Sequence, residues 1–252
     1  MSLTNKVAIV TGGSRGIGAG IAKELAHRGA KVLLTFASTA AAADSVVQDI
    51  KSAGGEAVAL KADCMDKDTP ALVIKTAVES FDGGIDIIIN NAAAGDECYL
   101  KDVTYEHYEK VFTTNVRFPM FLVKESLPFL RRGGRIVNIG SVVSREGWKM
   151  HTAYGATKAC MDSFARTWSV ELGHEYGITV NNVNPGPVNT DMWTEMPQEL
   201  LDQFDPYINS TPAAPRVGEV DDIVPIVAFL CEEGARWITG STTCANGGKV
   251  FT

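Results

Sequence analysis

Short runs rich in β-branched apolar residues alternate along this chain with longer stretches of helical period. Val7-Ala8-Ile9-Val10 opens the series, and residues 32–34, 57–60, 85–89, 135–139 and 179–184 repeat it. A shorter candidate, 241–244, precedes Gly247-Gly248. These runs do not alternate apolar with polar positions, which is the pattern of strands covered on both faces. Between the first two, Ile17, Ile21 and Leu25 recur at i, i+4 and i+8 and predict a helix over 16–27. Further helices are predicted over 39–52, 69–81, 104–130, 152–176 and 220–230, the one over 104–130 kinked or interrupted at Pro119. Regular strand–helix alternation implies an α/β fold: a doubly wound parallel sheet with right-handed crossovers. Gly/Pro-rich linkers and internal repeats are missing, so 1–252 reads as a single domain.

One stretch breaks the rhythm. Residues 189–215 mix Pro197, Pro206, Pro212 and Pro215 with Met192, Trp193, Met196 and Phe204. Breakers among large apolar groups predict a mobile lid over a site; the alternative is a docked surface insertion.

Composition narrows the function classes. The net charge is −7, and no dense Lys/Arg cluster provides a nucleic-acid footprint. Hydrophobic residues at 45% come in runs too short to span a bilayer, and the N-terminus lacks the basic-then-apolar pattern of a signal peptide. Five cysteines and four histidines are scattered without metal-ligand or disulfide spacing. The expectation is a cytoplasmic protein with reduced thiols, no metal, and no nucleic-acid or membrane partner.

Candidate chemistry begins after the first strand. Thr11-Gly12-Gly13-Ser14-Arg15-Gly16-Ile17-Gly18 joins strand to helix. Glycines there permit a tight turn and let backbone N–H groups approach a pyrophosphate at a helix N-terminus, as in Rossmann-type sheets. The spacing Gly-x-x-x-Gly-x-Gly departs from the common dinucleotide pattern. After the second strand, Phe36, Ala37, Ser38 and Thr39 offer hydroxyls and no carboxylate, and Asp44 is the first acid. Arg15 with those hydroxyls suits a 2′-phosphate, so NADP(H) is favoured over NAD. Arg15 also reads as a solvated loop cation and Ser38 as a helix cap.

The pair Tyr154-x-x-x-Lys158, with Ser141 thirteen residues upstream, carries a second chemical logic. A free phenol titrates near pH ~10. A lysine one helical turn on favours the phenolate and is expected to bring that value toward neutrality. Ser141, on another element, can hold a carbonyl oxygen against the tyrosine.

Together these motifs resemble the short-chain dehydrogenase/reductase family, in its one-domain form, over residues 6–248. In order they are Thr11-Gly12…Gly16-x-Gly18, Asp63, Asn90-Asn91-Ala92, Asn115, Ser141, Tyr154/Lys158 and Asn184-Pro185-Gly186. The resemblance implies roles for matching positions. Tyr154 is the general acid, Lys158 holds the nicotinamide ribose and lowers the tyrosine's pKa, and Ser141 orients the substrate oxygen. Asn115 orders a water in a proton relay; read without the resemblance, it is a helix amide bonded locally. Asp63, beside Cys64, bonds the adenine. Asn90 and Ala92 pass the adenosine ribose, and Pro185, Gly186, Val188 and Thr190 hold the carboxamide. Ala93 stands where the family has glycine, and its methyl is expected to weaken cofactor affinity modestly.

The resemblance extends to NADPH-dependent ketoreductases such as the fungal hydroxynaphthalene reductases. It implies a small-molecule carbonyl substrate, aromatic or polyketide-derived, and a homotetramer through the long helices and C-terminal segment. Pocket candidates are Val143, Trp148, Met150, His151, Tyr99, Pro187, Met192, Trp193 and Met196, bulky groups that suit a flat apolar ketone. Two alternatives stand beside this reading. A 3-oxoacyl-carrier-protein reductase would need a basic patch at the site mouth, whereas Arg131, Arg132 and Arg135 precede a strand, on the wrong edge of the sheet. A non-catalytic NADP-binding scaffold would not need Ser141, Tyr154 and Lys158.

Overall fold

Each apolar run is a strand: β1 (Val7–Val10), β2 (Lys31–Phe36), β3 (Glu56–Lys61), β4 (Ile85–Asn90), β5 (Leu130–Ile139), β6 (Thr179–Pro185) and β7 (Thr242–Ala245). The helices are α1 (Gly16–His27), α2 (Ala40–Ser52), α3 (Thr69–Ser80), α4 (Tyr105–Phe112), α5 (Phe118–Ser126), α6 (Thr152–Tyr176), α7 (Asp191–Thr194), α8 (Gln198–Asn209) and α9 (Val220–Leu230). The computed structural model describes residues 1–251 except Asp82, Asp96, Pro197 and the side chains of Glu199, Leu200 and Gln203. Among the described residues the sheet is wholly parallel, in the order β3-β2-β1-β4-β5-β6-β7.

Alternate strand residues point to opposite faces. Ala8, Val10, Val32, Leu34, Ile87 and Ile89 pack with Ile21 and Leu25 of α1, Val46 and Ile50 of α2, and Val227 of α9. Val7, Ile9, Leu33, Ile85 and Ile88 pack with Val73 of α3, Phe118 and Leu122 of α5, and Trp168 and Leu172 of α6. One core on each face is why both strand faces are apolar. No described helix is long and apolar enough to cross a membrane.

Strand order reverses between β1 and β4, and open α/β sheets bind ligands beyond the carboxyl ends at such a point. Polar groups hold the two strand ends together there. Asn91 Nδ2 donates to the carbonyls of Thr11 (2.9 Å) and Gly12 (3.1 Å). Thr11 Oγ1 accepts from the N–H groups of Asn91 and Ala92, both at 3.0 Å. At the opposite end of the sheet, the buried Asp86 carboxylate accepts from Val7 N–H (2.9 Å), Lys6 Nζ (3.0 Å) and Arg131 Nη1 (2.9 Å).

Four expectations are revised. The stretch expected as one helix over 104–130 is α4, a π turn at Thr113–Arg117, α5 and a 3₁₀ turn. Pro119 lacks the N–H that would continue the α pattern, and the widened turn just before it absorbs the misfit. The last strand of that region begins at Leu130, five residues early, with a register shift against β4 between Ile85 and Ile87. Thr39, not Ser38, occupies the N-cap position of α2, and its side chain makes no capping bond. Within 189–215, Pro206 does not break the chain but lies inside α8, and Asp191–Thr194 is a further turn of helix. Pro197, read as another breaker, lies outside the described residues.

A Cβ on Gly18 would overlap Gly12 O and Asn91 Nδ2, two groups already committed to the β1–β4 junction. Gly18→Ala is expected to destabilise the fold by about 1–3 kcal/mol. Urea unfolding would register this as a lower midpoint; an unchanged midpoint would mean that the turn relaxes freely.

Candidate active site

Tyr154 and Lys158 lie one turn apart on the buried face of α6, a helix ended by Gly177 in the left-handed region at φ +67°. Ser141 follows β5 and caps the 3₁₀ turn Val142–Ser144, its Oγ accepting from Val143 N–H at 3.4 Å. The Ser141 and Tyr154 hydroxyls are hydrogen-bonded. Lys158 Nζ donates to Ile139 O at 2.8 Å, two residues before Ser141, and lies 5.3 Å from the centre of the Tyr154 ring. Three groups on two elements thus converge at the carboxyl end of the sheet.

Electrostatics there differ from the expectation. Burial pushes Tyr154 up to about 12, and the hydrogen bond from Ser141 only partly opposes it. Burial holds Lys158, 4% exposed, down to about 8. Desolvation disfavours both charged forms. At neutral pH the phenol is a proton donor, not a phenolate.

Asn115 sits in the π turn, and its bonds are not local. Its Oδ1 accepts from Ala94 N–H (2.8 Å), and its Nδ2 donates to Ala94 O (2.9 Å) and Thr157 Oγ1 (3.0 Å). It therefore ties the chain after β4 to α6, one residue from Lys158.

The glycine-rich turn leaves the N-terminus of α1 without a side-chain cap. Gly12 and Gly16 have φ +64° and +52°, where only glycine sits without strain. A Cβ on Gly13 would stand 2.7 Å from Leu34 Cβ, and one on Gly16 3.2 Å from Thr190 Cγ2. Ser14 and Ile17 are half-buried beside it. Arg15 is exposed, its Nη1 3.7 Å from Asp191 Oδ2. Phe36 is half-buried at the end of β2, with Ala37 and Ser38 exposed after it. Asp63 is exposed and accepts from Met65 N–H at 2.9 Å; burial, then the charge of Asp63, pushes Cys64 up to about 12. Ala92 and Ala93 are half-buried. At the end of β4, where the chain is expected to pass the adenosine ribose, the Asn90 side chain itself serves the sheet: it is 5% exposed and its Nδ2 donates to Asn138 Oδ1 at 2.8 Å.

Comparison with known proteins agrees with this geometry. The profile of a family described as enoyl-(acyl carrier protein) reductase matches residues 12–249. The short-chain dehydrogenase/reductase FrzI of a Cladobotryum species is 47% identical over 252 residues, covering 99% of this chain and 97% of that protein. The chain belongs to the short-chain dehydrogenase/reductase family. A probable tetrahydroxynaphthalene reductase of Zymoseptoria tritici is 38% identical, covering 97% of this chain and 94% of its own. Among solved structures, the angucycline C-6 ketoreductase LanV with bound NADP superposes with a TM-score of 0.91 at 33% identity, covering 98% and 96% of the two chains.

In this short-chain dehydrogenase/reductase an aromatic wall stands beside Tyr154. The His151 ring packs edge-on against Tyr154 (5.8 Å between centres) and Trp148 (5.6 Å). Trp148 in turn meets Phe204 (5.1 Å) and Tyr207 (5.2 Å) of α8, and Trp193 meets Phe204 (5.3 Å). Tyr207 Oη donates to Glu146 Oε2 at 2.9 Å, so α8 is docked on the 146–151 loop. Met150, directly before His151, holds φ +67°, unusual for a side-chain-bearing residue. A Cβ on Gly95 would stand 3.4 Å from Tyr154 Cε2 and 3.7 Å from Met192 Cε, so these three line one space. Val143 is buried, Met196 half-buried and Tyr99 exposed. Pro187 is not in this group: it borders a separate cavity of about 390 Å³ with Val188, Ile208 and residues 246–249, because the chain turns toward Gly218 after β6. Sequence reasoning had Phe204 in the expected lid but not on this wall, and it missed Tyr207, Gly95 and the bridging role of Asn91; only the aromatic spacing of 204 and 207 was there to be seen.

Holding an ammonium at about 8 rather than its ordinary 10.5 costs the fold roughly 3 kcal/mol at neutral pH. Between those two values the unfolded chain binds more protons, so this group makes stability rise with pH. Lys158→Met is expected to raise the Tm at pH 7 and to flatten that rise; a lower Tm would refute the burial argument.

Proposed function

We propose that this enzyme is an NADPH-dependent ketoreductase of specialised metabolism, reducing a ketone on a flat, apolar substrate of aromatic or polyketide origin to a secondary alcohol. The observation that carries the proposal is the meeting of Ser141, Tyr154 and Lys158 at the carboxyl end of the sheet, with His151 of the aromatic wall packed against Tyr154.

NADP(H) fits the cleft. The uncapped start of α1 and the glycines of the turn suit the pyrophosphate. Arg15 and Ser38 would take the 2′-phosphate, Asp63 the adenine, and Gly186, Val188 and Thr190 the carboxamide. When bound, the reduced cofactor supplies the hydride. Ser141 donates a hydrogen bond to the substrate carbonyl oxygen and holds it in place. Tyr154, neutral at working pH, delivers its proton to that oxygen as negative charge develops there. Lys158 holds the ribose hydroxyls, and its ammonium stabilises the phenolate that remains. Asn115 positions a water through which that proton is replaced. Residues 189–215 act as the lid, closing over the substrate through the contacts of α8 with Trp148.

A carrier-protein substrate is disfavoured because Arg131 pairs with Asp86, Arg135 with Glu233, and Arg132 reaches Glu175 O, all away from the Tyr154 mouth. A homotetramer is supported by exposed apolar groups on the expected surfaces: Tyr105 on α4, Met120 on α5, Val170 on α6 and Trp237 before β7.

Tyr154→Phe is expected to retain NADPH binding and to lose roughly 10²–10⁴-fold in turnover. Fluorescence titration and single-turnover kinetics separate the two effects, and near-normal turnover would exclude Tyr154 as the acid. Arg15→Ala is expected to raise KM for NADPH about tenfold while leaving that for NADH nearly unchanged. A substrate panel of tricyclic phenolic ketones, β-keto thioesters and enoyl thioesters should favour the first. Preference for either thioester would replace the proposed substrate class.

A further inference from the structure

The face of α6 that carries Tyr154 and Lys158 continues one turn further to Asp162, at i, i+4 and i+8. Asp162 is 3% exposed, and five side chains donate to its carboxylate. Oδ2 accepts from Ser144 Oγ and Arg145 Nε, both at 2.9 Å. Oδ1 accepts from Thr242 Oγ1 (3.0 Å), Asn184 Nδ2 (3.3 Å) and Asn182 Nδ2. Burial would raise its pKa, but the hydrogen bonds of Arg145, Ser144 and Thr242 and the Arg145 charge outweigh that and hold it below the usual carboxylate range.

Those donors are not scattered. Ser144 and Arg145 belong to the turn that begins at Ser141. Asn184 also donates from Nδ2 to Ser144 Oγ at 2.9 Å, and its Oδ1 accepts the backbone N–H of Ser141 at 3.0 Å. Gly140 has no room for any side chain, because a Cβ there would overlap Asn184 Oδ1. Asn184 leads directly into Pro185 and Gly186, the segment that faces the phosphate turn through Thr190. Only an ionised carboxylate accepts from so many donors at once.

We infer that Asp162 is the positioning residue of this site: through Asn184 and Ser144 it sets where Ser141 stands relative to the 185–190 segment, and so how a carbonyl oxygen and carbon meet acid and hydride donor. It touches neither substrate nor cofactor. The inference rests on the ketoreductase reading of Ser141. Two elements meet at Asp162, the substrate-oxygen turn and the nicotinamide segment, and the carboxylate binds both to the helix that carries Tyr154.

The test is a double-mutant cycle of Asp162→Asn and Ser141→Ala in the full chain, with NADPH and a reducible ketone from the panel. Asp162→Asn alone should lower kcat about 10- to 100-fold, keep KM for NADPH within about twofold, and enlarge the isotope effect on kcat when the transferred hydrogen is deuterium. In the Ser141→Ala background it should cost almost nothing more. Additive losses, or a kcat that falls with an unchanged isotope effect, would make Asp162 a stability residue and overturn the inference. If Ser141→Ala itself leaves turnover intact, the ketoreductase reading of Ser141 fails instead. Should Asp162→Asn not fold, Ser144→Ala takes its place in the cycle, since it removes one donor to the carboxylate and one acceptor of Asn184. A non-additive loss with Ser141→Ala then supports the positioning role, and an additive one overturns it.

Discussion

Polar side chains on a buried helix face must find partners or destabilise the fold, and in this protein that requirement organises the site. Tyr154, Lys158 and Asp162 descend one face of α6 into the seam with β5 and β6. Each is satisfied by the carboxyl-end residues of β5 and β6, the turn after β5, or the start of β7: Tyr154 by Ser141, Lys158 by Ile139 O, Asp162 by Ser144, Arg145, Asn182, Asn184 and Thr242. The partners are thereby placed as firmly as the helix itself. An unpaired buried group costs more than its hydrogen bond returns, so the arrangement is held by the penalty of leaving it.

The same burial decides the electrostatics. Desolvation outweighs the attraction between a phenolate and an ammonium that do not touch, so the tyrosine stays protonated and the lysine is held near neutrality. A proton donor at the carbonyl oxygen is what the proposed reduction requires, and the fold holds a reluctant ammonium beside it. The phosphate turn follows a parallel logic of exclusion. Its glycines are demanded by the crowding of β1, β4 and α1, and the same lack of side chains opens the end of α1 to an anion.

Strands, helices and the phosphate turn were legible because they depend on local period and on the one residue type that tolerates positive φ. Ser141, Tyr154 and Lys158 were legible as a spacing joined to a family pattern, although their convergence is a property of the packed seam. Other features were not legible. The π turn at 113–117 is a compromise between Pro119 and the packing of α5. Pro206 lies inside a helix because Phe204 and Tyr207 are docked on Trp148, which outweighs the lost backbone bond. The sheet role of the Asn90 side chain was also out of view, since what its amide meets depends on β5 lying alongside.

The amino-acid sequence by itself determined the doubly wound sheet and the glycine-rich turn after its first strand, because hydrophobic period and glycine placement act on neighbouring residues. Only the tertiary structure decided the direction of the Tyr154 and Lys158 shifts, the course of α8 over the aromatic wall and the convergence on Asp162. Burial and hydrogen-bond satisfaction are set by residues far apart in the chain, here from 141 to 242, and no local pattern encodes which of them will meet.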